Sequence, residues 1–421
     1  MINKLNVIVI KRRHAVMAVV CCLISIAIIC FFINYFSKDI STSTLQQNNK
    51  YVILAANDTG MHCYQPSYSK YLILPPGNNL KLQVFLNEGK EARLINSGIE
   101  VFYQIINNTT SANKIDFWKY SKYYGYDVAP DIGITGNGLS GKMKLSKDGM
   151  YYEATAIPVT PFNDGSTELN PYQLAMIRVT DSKTGKELAK TDNVVVPVSN
   201  EMNCSSCHGT SDTDLNILKA HDELSKTQLV AELSRGKRHK CADCHQDNIL
   251  DLAGKSGILP LSQAIHGFHA NKMAQSDIKP ECYSCHPGPV SRCYRGVMFA
   301  EGVSCVNSKC HGDMEKIAST QAQGRQAWLQ EPDCSNCHGE KYSVNAGQLY
   351  RNSYLVNNSN AEMNGFILCE SCHNGTHAEW KSVNLKDNLL PIQLLGYPNF
   401  IDKCTVCHEG TGKIHETVIP K

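Results

Sequence analysis

Six copies of the pattern C-x-x-C-H are the residues best placed to do chemistry in this chain: Cys204/Cys207/His208, Cys241/Cys244/His245, Cys282/Cys285/His286, Cys334/Cys337/His338, Cys369/Cys372/His373 and Cys404/Cys407/His408. The spacing is a signature of covalent haem attachment. Two thiols three residues apart can each add to one vinyl group of a porphyrin, and the next histidine then points its imidazole at the iron as the proximal ligand. A seventh set, Cys305/Cys310/His311, places four residues between its cysteines instead of two. There a loop between the thiols can bulge outward while both sulfurs still reach the ring. Zinc also uses paired cysteines, but zinc chemistry requires no histidine directly after every second cysteine. Disulfides leave those histidines unexplained too.

The remaining histidines bear on the other axial position. Of fifteen, seven belong to the motifs and His14 lies in the basic N-terminal stretch. His62, His221, His239, His266, His269, His377 and His415 remain. Seven further histidines for seven motifs is the number that a set of six-coordinate, bis-histidine haems requires, so each is a candidate distal ligand. His239 and His377 lie so close to motif residues that they suit an adjacent haem better than their own. His266 and His269 could share one face of a helical turn, or serve two haems from a loop. His62 would bring the N-terminal half of the exported chain against a haem.

These residues must be carried by suitable elements. Residues 1–36 read as a basic flank and a transmembrane anchor, because the apolar run from Ala15 to Phe36 is long enough to cross a bilayer and longer than the core of a cleaved signal peptide. The basic flank stays inside and the remainder is exported. Export agrees with c-type haem, which is attached outside the cytoplasm. Residues 37–50 are a polar tether.

Residues 51–199 contain short runs rich in Val, Ile and Tyr (YVILAA, LKLQVFL, IEVFYQII, MYYEATAIPV, YQLAMIRVT, NVVVPVS). They predict an antiparallel, immunoglobulin-like β-sandwich of six or seven strands. Residues 200–421 predict a mostly irregular domain with short helices, too loop-rich to bury a conventional core. Covalent haems would fill it, and without them it should not fold. Its longest expected helix is residues 215–236. The fold class is therefore β plus a loop-rich, partly α multihaem domain behind an N-terminal anchor.

The formal net charge is +2, and it becomes −2 once Lys4, Lys11, Arg12 and Arg13 of the flank are set aside. No basic stripe suggests a nucleic-acid partner. Of nineteen cysteines, fourteen lie in the seven motifs and Cys21, Cys22 and Cys30 lie in the apolar run. Cys63 and Cys293 are left over, and an oxidising compartment would permit a disulfide between them.

The segments NDTGMHCYQPSYSKYLILPP, MNCSSCHGTSDTDLNILKAHD and RCYRGVMFAEGVSCVNSKCHG resemble exported multihaem c-type cytochromes of metal-reducing and related bacteria. The resemblance covers nearly the whole exported part. It implies electron transfer across the cell envelope, towards periplasmic or extracellular acceptors, with a quinol-linked donor and periplasmic or outer-membrane cytochromes as partners. It also implies that His62 and Cys63 matter. The chemistry of the motifs leaves an alternative: a multihaem reductase of a small oxyanion or nitrogen compound, with one open iron. A third reading makes the sandwich an assembly module that docks a partner cytochrome or polymerises into an oligomer or filament. An electron carrier has no catalytic residue, and the histidine count favours it, because no haem is left obviously without a partner.

Overall fold

Apolar runs bounded by turn residues set the first half of the fold. They give β1 (Tyr51–Asn57), β2 (His62–Cys63), β3 (Tyr71–Leu72), β4 (Leu80–Asn87), β5 (Ala92–Leu94), β6 (Ile99–Ile105), β7 (Ser140–Lys142), β8 (Lys144–Leu145), β9 (Tyr152–Ala154), β10 (Tyr172–Asp181) and β11 (Glu187–Ser199). The computed structural model describes residues 50–89, 92–278, 282–339, 350–352, 356–357 and 367–408. The expected anchor, nearly all of the tether and His415 lie outside the described residues. Among the described residues no helix is long and apolar enough to cross a membrane.

Two five-stranded sheets form. One runs β1-β4-β9-β8 with β5 also on β4, and the other runs β2-β11-β10-β6-β7. All pairings within them are antiparallel except β2 with β11, where His62 lies opposite Val198 and Cys63 opposite Ser199. Ile53, Leu82 and Val84 of the first sheet share one core with Val101, Tyr103, Ile177, Val179 and Val196 of the second. Side chains alternate across a strand, so a strand covered on one face alone should alternate in polarity. β1 does not, because Val52 and Leu54 on its other face, with Phe85, are covered by Leu394, Ile401 and Val406 from the C-terminal half.

Two expectations change. The run 150–159 is strand only at Tyr152–Ala154, and it leaves the sheet at Ala156, whose φ is +49°. The helix expected over 215–236 is two helices, Thr213–Ser225 and Leu229–Ser234. Lys226 turns left-handed between them at φ +55°, and the Asp222 carboxylate accepts the Leu229 and Val230 amides at 2.7 and 2.9 Å. Those amides open the second helix and would otherwise lack acceptors, so a side-chain cap ends one helix and begins the next. The longest helix among the described residues is instead Leu261–Ala274, which carries both His266 and His269.

Candidate cofactor sites

The five C-x-x-C-H motifs at Cys204, Cys241, Cys282, Cys334 and Cys404 each close the same turn. The amide of each motif histidine donates to the carbonyl of the first cysteine at 2.9–3.0 Å. The amide of the second cysteine reaches that same carbonyl at 3.1–3.2 Å. The motif at Cys369 lies in the helix Cys369–His373. A helical turn places positions i, i+3 and i+4 on one face, so two thiols and an imidazole look the same way in each. The wider set departs from this. Its Cys310 amide bonds Asn307 at 2.8 Å, and the intervening residues loop outward, with Val306 exposed.

Cys207 is exposed where its motif partner Cys204 is half-buried, so it does not pack as the small hydrophobe that a structural cysteine usually is. Cys244 is half-buried, and its backbone is held from both directions. Its amide donates to the Cys241 carbonyl at 3.2 Å, and its own carbonyl accepts the Lys255 amide at 2.8 Å. The second cysteine of a motif is thus fixed by its backbone, while its sulfur takes no part in an apolar core at Cys207. Cys285 lies within electrostatic reach of Cys204 and Cys207, which puts the first and third motifs side by side.

Among the described residues, four motif histidines each lie beside one of the other histidines. Ring centroids are 6.5 Å apart for His208 and His269, 6.3 Å for His245 and His221, 6.1 Å for His286 and His266, and 6.0 Å for His311 and His377. Two imidazoles bound to opposite sides of one metal through bonds of about 2.0 Å would hold their centroids roughly 6.3 Å apart. The observed spacing is compatible with one metal ion held between the rings of each pair. Among the described residues no three His, Cys, Asp or Glu side chains gather as a compact metal site of protein ligands alone.

Hydrogen bonds orient these rings. The Nδ1 atoms of His266 and His269 lie 2.8 and 2.9 Å from the carbonyls one helical turn back, Ser262 and Ile265. His245 Nδ1 lies 2.7 Å from the Leu259 carbonyl, His221 Nδ1 lies 3.0 Å from the Thr227 hydroxyl, and His377 Nδ1 lies 3.3 Å from the Thr59 carbonyl. A carbonyl acceptor fixes the proton on Nδ1 and leaves Nε2 as the basic nitrogen, the arrangement a metal-bound histidine uses. Burial holds His208, His221, His266 and His377 below the ordinary imidazole range, and takes His286 to about 4 and His311 to about 3. These rings are thus held neutral, the state that coordinates.

One helix serves two motifs. His266 and His269, three residues apart on Leu261–Ala274, turn to His286 and His208 respectively. The helix Thr213–Ser225 starts beside the first motif, where Asn216 Nδ2 donates to the His208 carbonyl at 2.8 Å, and carries His221 to the second. The Cys282 and Cys305 thiols hydrogen-bond, so the third and fourth motifs adjoin. Cys372 lies within electrostatic reach of Cys404 and Cys407, and Cys310 of Cys337.

The other candidates are placed differently. His62 is buried with Nε2 on Asp58 Oδ1 at 2.5 Å. His239, which lies opposite Tyr71 where residues 239–240 pair with β3, turns its Nε2 to the Glu232 carboxylate. The His373 ring stacks on Phe400 with centroids 5.2 Å apart, and His338 and His408 end their motif turns. Cys63 and Cys293 are free thiols, each pushed up to about 11 by burial.

Sequence reasoning found every paired histidine, because residue type alone marks it. It missed the carbonyls of Thr59, Leu259, Ser262 and Ile265, since a backbone acceptor has no side-chain signature. Comparison of the chain with protein families, with curated proteins and with solved structures finds no match.

Proposed function

We propose that the exported part of this chain is a multihaem c-type cytochrome that carries electrons across the cell envelope. Seven haems would be held by the cysteines of the motifs, with His208, His245, His286, His311, His338, His373 and His408 as proximal ligands. His269, His221, His266 and His377 are the distal ligands of the first four. The observation that carries this reading is the recurrence of one imidazole–imidazole spacing, 6.0–6.5 Å, at four separate motifs.

When bound, haem supplies reversible one-electron exchange at the ring edge. The chain's own residues hold, orient and cover it. The helix Leu261–Ala274, which would take a ligand to each of two neighbouring motifs, would fix the spacing between their centres, which a conduit needs. The immunoglobulin-like layering of the two sheets makes a rigid platform under the last motifs. The N-terminal run would anchor the protein, leaving it to accept electrons from a quinol-linked donor and pass them to periplasmic or outer-membrane cytochromes.

A second reading is favoured by one observation. His62 and His239 present Nε2 to carboxylates, which leaves His415 as the one remaining sequence candidate for the last three motifs. An iron lacking an imidazole there would be open to a small oxyanion or nitrogen compound. Haem content and low-temperature electron paramagnetic resonance on the same oxidised sample decide between the two. Seven low-spin haems support the conduit. A high-spin signal from one or more supports the reductase, and a protein without covalent haem removes both.

A further inference from the structure

We infer that the loop between β1 and β2, residues 58–61, is a positioning clamp that sets the orientation and the potential of the fourth centre through His377. The inference rests on His377 being an axial ligand, as proposed above. The Thr59 carbonyl lies 3.3 Å from His377 Nδ1, although 318 positions separate the two residues.

The loop approaches as bare backbone. Gly60 has φ +75°, and a Cβ there would lie 2.2 Å from the Thr376 carbonyl oxygen. From the other side, a Cβ on Gly375 would lie 2.0 Å from the Asn57 carbonyl oxygen. Two glycines therefore face each other across the contact, and neither position admits a side chain without moving the segment that ends in His377.

His377 itself sits at φ +77°, a left-handed conformation that few residues other than glycine adopt. Its carbonyl accepts the Arg295 and Gly296 amides at 2.8 Å each, and its amide donates to Glu379 Oε1 at 3.2 Å. Arg295 Nη2 then donates to the Gly60 carbonyl at 2.8 Å, so one arginine ties His377 to the loop that orients it.

The clamp sits at the least regular centre. The other three paired motif histidines are presented by a single helical turn, whereas His311 follows the wider Cys305–Cys310 loop and lacks it. Where the proximal side is loosest, the distal ligand is held by the sandwich. A carbonyl on Nδ1 also makes the imidazole a stronger donor to metal. Losing that acceptor should raise the potential of this centre alone. Asp58 and Met61 frame the clamp, and the Thr59 hydroxyl donates to the Met61 carbonyl at 3.1 Å, which fixes the direction of the turn.

The test uses the full-length holoprotein with variants His377→Ala, Gly60→Ala and Thr59→Ala, read by haem content, paramagnetic resonance and a redox titration. His377→Ala should turn one haem in seven high-spin. Gly60→Ala should disturb that same haem while seven remain attached, and Thr59→Ala, which keeps the carbonyl but removes the hydroxyl that fixes the turn carrying it, should keep that haem low-spin and raise one midpoint as the carbonyl drifts from His377. If His377→Ala produces the high-spin haem yet both loop variants keep the wild-type spectrum and midpoints, the loop only packs there and the clamp is refuted. If His377→Ala leaves all haems low-spin, the ligand reading beneath it has failed instead. Should Gly60→Ala give no folded holoprotein, the Thr59→Ala titration decides alone.

Discussion

Arg295 and Asp387 form an ion pair with no solvent exposure on either side chain: Nε and Nη2 of the guanidinium donate to the two carboxylate oxygens at 2.7 and 2.8 Å. The carboxylate also accepts from Ser382 Oγ at 2.7 Å, and Arg295 Nη1 donates to the Cys293 carbonyl at 2.9 Å, so each charge has hydrogen-bond partners beyond the other. A buried pair adds little over an apolar replacement, but breaking it leaves one charge stranded. Arg295→Met should therefore destabilise the holoprotein by about 3–5 kcal/mol, measured by denaturant unfolding. Adding Asp387→Leu should recover part of that loss.

Acid stability should depend on Asp164. Burial pushes its carboxyl up, but the Lys114 ammonium at 2.8 Å, with the Thr109 amide and hydroxyl, outweighs this and takes it down to about 2. A carboxyl lowered on folding contributes stability that is complete above its unfolded value and lost as pH falls through the folded one. The contribution should fade between about pH 4 and pH 2. Asp164→Asn should flatten the unfolding curve in that window and leave its slope above about pH 5 unchanged. A slope identical to wild type below about pH 4 would count against the pair.

The strands and the motifs were legible because both depend on local pattern. YVILAA and LKLQVFL are apolar along most of their length, and they pair in β1 and β4 with Ile53 opposite Val84. The unbroken apolarity of β1 also carried a message about what covers the sheet: Leu394, Ile401 and Val406 supply the second face. The partners of the histidines outside the motifs were not legible. His269 reaches His208 across 61 positions of sequence and His377 reaches His311 across 66, and no local pattern encodes such distances. The break at Lys226 was hidden for another reason. Apolar periodicity continues through 215–236, and only the Asp222 carboxylate, capping the amides beyond it, shows that the helix ends there.

Haem should be a folding determinant for the second half and not for the first. The buried core of the sandwich comes from residues 53–198, strands and the loops between them, apart from Trp380 and Leu390. The described second half has few buried apolar side chains, and along its two longest helices they are Leu218, Leu261 and Met273. Apolar burial is the main favourable term in folding, and a segment lacking it needs a ligand to supply the volume. In protein made without haem attachment, amides of β4, β10 and β11 should stay protected in hydrogen exchange. Those of the helices Thr213–Ser225 and Leu261–Ala274 should exchange like unfolded chain. Equal protection in both halves would mean that the second half has a sufficient core of its own.

A histidine scan separates the paired residues from those bound to carboxylates. His221, His266, His269 and His377 have Nδ1 on a backbone carbonyl or a hydroxyl, whereas His62 and His239 turn Nε2 to Asp58 and Glu232. Iron uses the basic nitrogen that the other ring position leaves available. Alanine at each of the first four should make one haem high-spin, and exogenous imidazole should restore the low-spin signal because the opened site fits that ring. His62→Ala and His239→Ala should keep the spin-state distribution of the wild type. A new high-spin centre in either of these two would mean that haem binding turns that imidazole away from its carboxylate. The open-iron reading would then lose the observation that favours it.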